Sequence, residues 1–139
     1  MQVVEGESVK IASLDHLVLT VRDVDASVDF YTRILGMEAV TFQDGRKALR
    51  FGDQKINLHQ KGNEFEPRAD LPTPGSADLC FLVDTEIEEA AQYLRSQGVE
   101  VFLGPVTRTG ARGSILSVYL RDPDGNLIEL SRYEDDRTR

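Results

Sequence analysis

Five side chains in this sequence could act together as metal or acid–base groups: His16, Asn57, His59, Asp78 and Glu129. Glu129 stands in Leu127-Ile128-Glu129-Leu130-Ser131, directly after the turn Asp122-Pro123-Asp124-Gly125-Asn126. Successive side chains of a strand point to opposite faces, so Ile128 and Leu130 share one face and Leu127, Glu129 and Ser131 the other. A carboxylate in an apolar strand is costly to bury unless a cation or hydrogen-bond donors meet it. Imidazole nitrogen and carboxylate oxygen are the donors that hold a divalent metal ion. These residues are far apart along the chain, so the elements that carry them must do the gathering.

The first unit opens with a strand, Asp15-His16-Leu17-Val18-Leu19-Thr20-Val21, marked by β-branched and apolar content. Leu17, Leu19 and Val21 form one face, and His16, Val18 and Thr20 the other. Val28, Tyr31, Ile34 and Leu35 then recur at helical spacing, with Asp25 as N-cap and Gly36 as the stop. Strands are expected near 37–43, 46–52 and 54–60, the first two joined by the hairpin pair Asp44-Gly45. The second unit starts with Asp78-Leu79-Cys80-Phe81-Leu82-Val83. Thr85 and Glu88 read as a capping box for a helix with Ile87, Ala90, Ala91 and Leu94 on one stripe, ending at Gly98. Strands are expected near 99–103, 114–121 and 126–133.

The two units are one pattern repeated. The offset that carries His16 to Asp78 also carries Val21 to Val83, Tyr31 to Tyr93, Gly36 to Gly98 and Glu38 to Glu100 without a gap. Farther on, Asp53 matches Asp122, and Ile56-Asn57-Leu58 matches Ile128-Glu129-Leu130. The expected fold is α+β, two tandem βαβββ modules forming a cupped eight-stranded mixed sheet. Its parts are an N-terminal arm (1–12), a single domain (13–133) and a charged tail (134–139). Module 1 spans 13–60, a Pro-bearing linker 61–77 and module 2 78–133.

If the helices cover the apolar faces, the other faces line a shared concavity. His16, Val18 and Thr20 then meet Asp78, Cys80 and Leu82. Asn57 and His59 meet Glu129 and Ser131, while Arg50 meets Ser117 and Tyr119. This arrangement predicts metal ligands among His16, His59, Asp78 and Glu129, with Asn57 as an outer amide. Cys80 reads as a small buried residue. The loop Arg108-Thr109-Gly110-Ala111-Arg112-Gly113 places two arginines over the metal and points to a small anionic substrate.

Composition narrows the partners. A formal net charge of −8 over 139 residues disfavours nucleic acid and anionic membrane, which need a basic footprint. The one cysteine, Cys80, excludes an intrachain disulfide. The opening MQVVEGESVK has no apolar signal core, and no run is long enough to span a membrane, so a cytoplasmic protein is expected.

The repeat, the strand-opening His16, and Arg121-Asp122-Pro123-Asp124-Gly125-Asn126 leading to Glu129 together resemble the vicinal oxygen chelate superfamily. That group holds glyoxalase I, methylmalonyl-CoA epimerase, extradiol dioxygenases, and the fosfomycin- and bleomycin-resistance proteins. Ile56-Asn57-Leu58-His59, Phe65-Glu66-Pro67, Pro74-Gly75-Ser76 and Gly104-Pro105 with Arg108-Thr109-Gly110-Ala111 are similar to the glyoxalase-domain-containing protein 5 branch and to bacterial virulence-associated glyoxalase-like proteins. The resemblance implies ligands at His16 and Glu129. It departs from the family pattern at Asp78, commonly histidine, and at Asn57, glutamate or glutamine in glyoxalase I and the epimerase. It implies pocket roles for Ser117 and Tyr119, which match a serine and tyrosine of the fosfomycin enzymes.

The function this implies uses nickel, zinc, cobalt, manganese or iron as a Lewis acid on a small vicinal-oxygen substrate. Glu129 or Asp78 removes the proton from the adjacent carbon. Lactoylglutathione lyase chemistry, with glutathione as cosubstrate, is the type case, and a homodimer is the expected assembly. Two other readings remain open. With His16, His59 and Glu129 on iron, the chain resembles a dioxygenase. Without catalysis, it resembles a protein that sequesters a small molecule or antibiotic.

Overall fold

A computed structural model describes residues 8–134, within which eight strands and two helices alternate in two like groups. The first group is β1 (His16–Val21), α1 (Val24–Arg33), β2 (Glu38–Phe42), β3 (Arg46–Phe51) and β4 (Gln54–Gln60). The second is β5 (Asp78–Leu82), α2 (Ile87–Ser96), β6 (Leu103–Thr109), β7 (Ser114–Arg121) and β8 (Leu127–Tyr133). The expected strands form two four-stranded mixed sheets, ordered β1-β4-β3-β2 and β5-β8-β7-β6. In each sheet the first and last strands of the group pair in parallel, and the remaining pairs are antiparallel. Residues 8–15 form no helix or strand, and the rest of the expected arm and most of the tail lie outside the described residues.

Register makes the repeat exact at the site. Val18 stands opposite Asn57, and Cys80 stands opposite Glu129. Asn57 and Glu129 therefore occupy equivalent positions. Ala48 opposite Asn57 is likewise the twin of Tyr119 opposite Glu129.

The apolar faces of both modules feed one core. Val21, Tyr31, Leu49 and Ile56 join Ile87, Leu94, Leu120 and Ile128 in a single buried cluster. Each such side chain contributes about 1.5–3 kcal/mol on leaving water. Phe51 and Phe81 meet edge to face at 5.3 Å across the module boundary. A buried polar contact also crosses it, the Tyr31 hydroxyl donating to Asp122 Oδ2 at 2.6 Å.

Local differences from the sequence reading have physical causes. The α1 N-cap is Asp23, not Asp25, because the Asp23 carboxylate accepts from the backbone N–H groups of Asp25 and Ala26. The Thr85–Glu88 capping box does not form. Here α2 starts at Ile87 with Glu86 at the cap position, so Thr85 and Glu88 are out of phase for the motif. The sixth strand lies at Leu103–Thr109 instead of 99–103, with a register shift between Leu103 and Val106. Pro105 has no N–H for the ladder, and a Cβ on Gly104 (φ 107°) would fall 2.4 Å from the Ser117 carbonyl oxygen. Arg108 and Thr109 consequently belong to β6, and only the residues beyond them form the connection to β7.

Candidate functional site

Glu129 owes its position to the turn before it. Asp122 Oδ1 accepts from the backbone N–H groups of Asp124 and Asn126, each at 2.9 Å, and Oδ2 accepts from Asn126 Nδ2 at 2.8 Å. The Asn126 side-chain oxygen in turn accepts from the Ala77 N–H at 2.8 Å. These bonds tie the start of β8 to the residue leading into β5, so Glu129 and Cys80 stand side by side.

A connected polar set surrounds Glu129. The Ser131 hydroxyl donates to Glu129 Oε2 at 3.3 Å, lies 2.6 Å from Ser117 Oγ and 3.2 Å from Cys80 Sγ. Arg108 Nε donates to the Tyr119 hydroxyl at 3.1 Å. Burial is the main force pushing the Tyr119 phenol up. The Arg108 bond works against it, and Glu129 adds to it. Burial likewise pushes the Cys80 thiol up, with Glu129 and Asp78 adding to it and the Ser131 bond opposing it. Cys80, Arg108, Tyr119, Glu129 and Tyr133 line one cavity of about 480 Å³, together with the β6–β7 turn. Arg112 reaches Tyr133 instead: its backbone N–H donates to the Tyr133 hydroxyl at 2.8 Å, and its guanidinium lies 4.0 Å from the ring centre.

His16 lies in a neighbouring cavity with Leu14, Gln54, Lys55, Cys80 and Phe81. Its Nδ1 is 2.8 Å from an Asp15 carboxylate oxygen. An imidazole that donates Nδ1–H to a carboxylate carries its lone pair on Nε2, the arrangement that orients metal-binding histidines. His59 lies elsewhere, in a third cavity with Val18, Thr20 and linker residues. It is 7 % exposed, its ring meets Phe65 at 5.6 Å, and its Nδ1 has no partner. Burial, then the charge of Arg46, lowers its basicity. Asp78 is exposed at the start of β5. Asn57 is half-buried with its side-chain oxygen unpartnered.

The structure thus joins Glu129, Ser117, Tyr119 and Arg108 around one cavity and its wall. It does not bring His16, His59 and Glu129 into a common one. Arg50 is held by Glu38 at 2.6 Å and lines none of these three cavities. The donor types suit a divalent ion, and Asp15–His16 and Ser131–Glu129 are the contacts that would steady two ligands. Among the described residues of one chain, however, no group of three His, Cys, Asp or Glu side chains converges to hold one. Cys80, expected as a small buried residue, is partly exposed and is common to the His16 and Glu129 cavities. Its register opposite Glu129 is the signal that could have located it. Arg46 was also missed; alternation back along β3 from Ala48 puts it on the Asn57 and His59 face.

Comparison with known proteins gives consistent relatives. The family model described as Glyoxalase/Bleomycin resistance protein/Dioxygenase superfamily matches residues 13–130. The glyoxalase domain-containing protein RDO1 of Mycosarcoma maydis is 61% identical over 131 residues, covering 94% of this chain and 74% of its own. Virulence protein STM3117 of Salmonella typhimurium is 57% identical over 123 residues, covering 88% and 85%. An integron cassette protein from V. cholerae has a solved structure with TM-score 0.90 at 58% identity, covering 92% of this chain and 100% of that one. More distant is the lactoylglutathione lyase of Schizosaccharomyces pombe, 27% identical over 84% of this chain and 46% of its own.

Proposed function

The chain belongs to the glyoxalase/bleomycin resistance protein/dioxygenase superfamily, and from that premise we propose that it is a metal-dependent enzyme of the glyoxalase type whose site two copies share. His16 of one copy meets Glu129 and Asp78 of the other. The observation that carries the reading is the division of the donors. The Asp15-braced imidazole and the Ser131-braced carboxylate lie in adjoining cavities that have Cys80 in common, yet the described residues of one chain complete no cluster.

The sheets support a second copy. Strands β1 and β5 each end a sheet, and their site-side faces are open: Val18 is 44 % and Leu82 59 % exposed. An open strand edge with apolar side chains invites pairing with another chain. Opposed β1 and β5 strands would set His16 against Asp78 and cover Val18 and Leu82.

When bound, a divalent ion supplies Lewis acidity toward two neighbouring oxygens of a substrate. The chain's own residues then account for the rest. Arg108, bonded to Tyr119, presents a positive charge and a hydroxyl beside Glu129, which suits a small substrate bearing oxyanions. Glu129 and Asp78 are the carboxylates that can take a proton from a carbon bearing one of those oxygens and adjacent to the other. Leu82 and Ile115 give the cavity its apolar wall.

Elemental mass spectrometry on chelator-free protein tests this directly. Wild type should carry a divalent metal, and His16→Ala and Glu129→Ala should each lose it while keeping wild-type circular dichroism. A heterodimer of the two variants, isolated by two different tags, should regain about half the wild-type content, because it holds one intact site of two. A site within one chain would leave that heterodimer empty. Wild type that takes up no nickel, zinc, cobalt, manganese or iron would end the enzyme reading.

A further inference from the structure

The two modules meet along a junction that is sealed on one side and open on the other. On the sealed side Tyr31 is fully buried, its ring is backed edge to face by Phe30 at 5.3 Å, and its hydroxyl donates to Asp122. The repeat carries Tyr31 to Tyr93, Phe30 to Gln92 and Val28 to Ala90. Ala90 is smaller than Val28, and Gln92 is exposed and lacks the ring of Phe30. Tyr93 is left 44 % exposed as a result.

The open side holds a cavity of about 230 Å³ between the end of α1, the inner face of α2 and the end of β5. Ile34, Met37, Phe51, Phe81, Leu94 and Leu130 wall it, and Thr85 and Tyr93 bring hydroxyls to it. It shares Leu82 with the Glu129 cavity and the Phe51–Phe81 pair with the His16 cavity, but none of the candidate metal donors and no residue of the His59 cavity.

These walls define the guest. Among the described residues no charged side chain lines the cavity, so an ion would leave water there with nothing in exchange. Protein interiors keep few voids larger than a water molecule, and an apolar cavity of about 150 Å³ already accepts benzene. Phe51 and Phe81 stand edge to face beside the Met37 thioether, and ring edges and sulfur both favour an aromatic neighbour. The Tyr93 hydroxyl donates to the Arg33 carbonyl at 3.0 Å, which leaves its oxygen able to accept. The Thr85 hydroxyl can donate or accept. One polar group on the guest suits this pair.

We propose that the junction cavity binds a small uncharged aromatic molecule with one hydrogen-bonding group, its ring among Met37, Phe51 and Phe81 and its polar group at Thr85 and Tyr93. This site stands apart from the metal reading, since it uses none of those donors.

Nuclear magnetic resonance titration of the full chain as purified tests it, with p-cresol and p-toluate as probes. The two share a ring and a methyl group, and a carboxylate replaces the hydroxyl in the second. p-Cresol should cause saturable shifts in the methyl groups of Met37 and Ala90. p-Toluate should bind at least about tenfold more weakly, because its charge finds no partner in the cavity. Ala90→Leu fills the space with a good helix former and should weaken p-cresol by about tenfold or more, whereas Ala26→Leu on the exposed surface of α1 should not. Should Ala90→Leu fail to fold, Thr85→Val keeps the shape, removes the hydroxyl and should weaken p-cresol about threefold or more. Absence of saturable p-cresol shifts, equal binding of p-toluate, or wild-type affinity in the folded variants would each overturn the proposal. Affinity that rises as dilution separates two copies would assign the cavity to a second copy and overturn it too. Binding is read without metal uptake or turnover, so this failure is separable from failure of the shared metal site.

Discussion

The inner faces of the two modules are built on one register and finished in opposite ways. On the second sheet, polar groups satisfy one another: Glu129, Ser131, Ser117 and Cys80 form a connected set, and Arg108 holds Tyr119. On the first sheet, Asn57, His59 and Arg46 each keep a buried polar atom without a partner. A duplicated scaffold has therefore produced one face that is organised in advance and one that stays chemically unsatisfied. Complete hydrogen bonding fixes the direction of a carboxylate before anything binds. Unmet groups instead gain most when a guest arrives.

The sharpest break in this symmetry lies in the turns before the last strand of each module. Asp122 accepts four hydrogen bonds, from Tyr31, Asn126 twice and Asp124. Its counterpart Asp53 is exposed. Burial and the neighbouring Asp122 also drive the Tyr31 phenol far above the ordinary tyrosine range, so it stays a donor. Asp122→Ala should destabilise by about 3–5 kcal/mol, since it strands several donors in the interior. Asp53→Ala should stay within about 0.5 kcal/mol of wild type. Urea unfolding of both variants checks the pair, and equal losses would mean that the second turn is not the structural key.

The next contrast compares the faces themselves. Ser131 is fully buried and touches three partners, so Ser131→Ala should cost about 1–3 kcal/mol. Asn57→Leu removes a buried oxygen that nothing satisfies, and it should match wild type or exceed it by up to about 1 kcal/mol. Equilibrium denaturation measures both. A loss above about 2 kcal/mol in Asn57→Leu would show that the first face is satisfied after all.

Much of this plan was readable from residue order. Alternation in His16–Val21 and Leu127–Tyr133, the hairpin pair Asp44-Gly45, and the gapless match from His16/Asp78 onward led to two βαβββ groups. The pairing of Asn57 with Glu129 as equivalents followed from the repeat and agrees with the register. Helix caps were less readable, because Asp23 and Asp25 are chemically alike and only backbone geometry chooses between them. The sixth strand lies beyond the expected 99–103, because Gly104-Pro105 sits inside it at a register shift that simple alternation does not reveal. At the site, alternation assigned faces but could not tell how the two faces lie relative to each other. That relation depends on how the shared core of Tyr31, Phe51, Phe81 and Leu94 packs, and periodicity within a strand carries no information about it.

The smallest effect expected from the contrast is on pH dependence, and it belongs to the first face. His59 is lowered by burial and by Arg46, while Glu64 and Glu66 oppose the shift weakly. A histidine lowered in the folded state is protonated first in the unfolded chain. Its share of stability is therefore whole above the ordinary value of 6.5 and is lost as pH falls from there through the lower folded value. Wild type should accordingly lose stability below about pH 6.5 more steeply than His59→Phe, whose ring cannot take a proton. The difference between the two proteins should vanish in slope above about pH 7. Thermal or urea unfolding across that interval reads it. Parallel curves for the two proteins below the histidine range would show that His59 is as easily protonated in the folded chain as in the unfolded one, and that the first face is more open to water and charge than its burial implies.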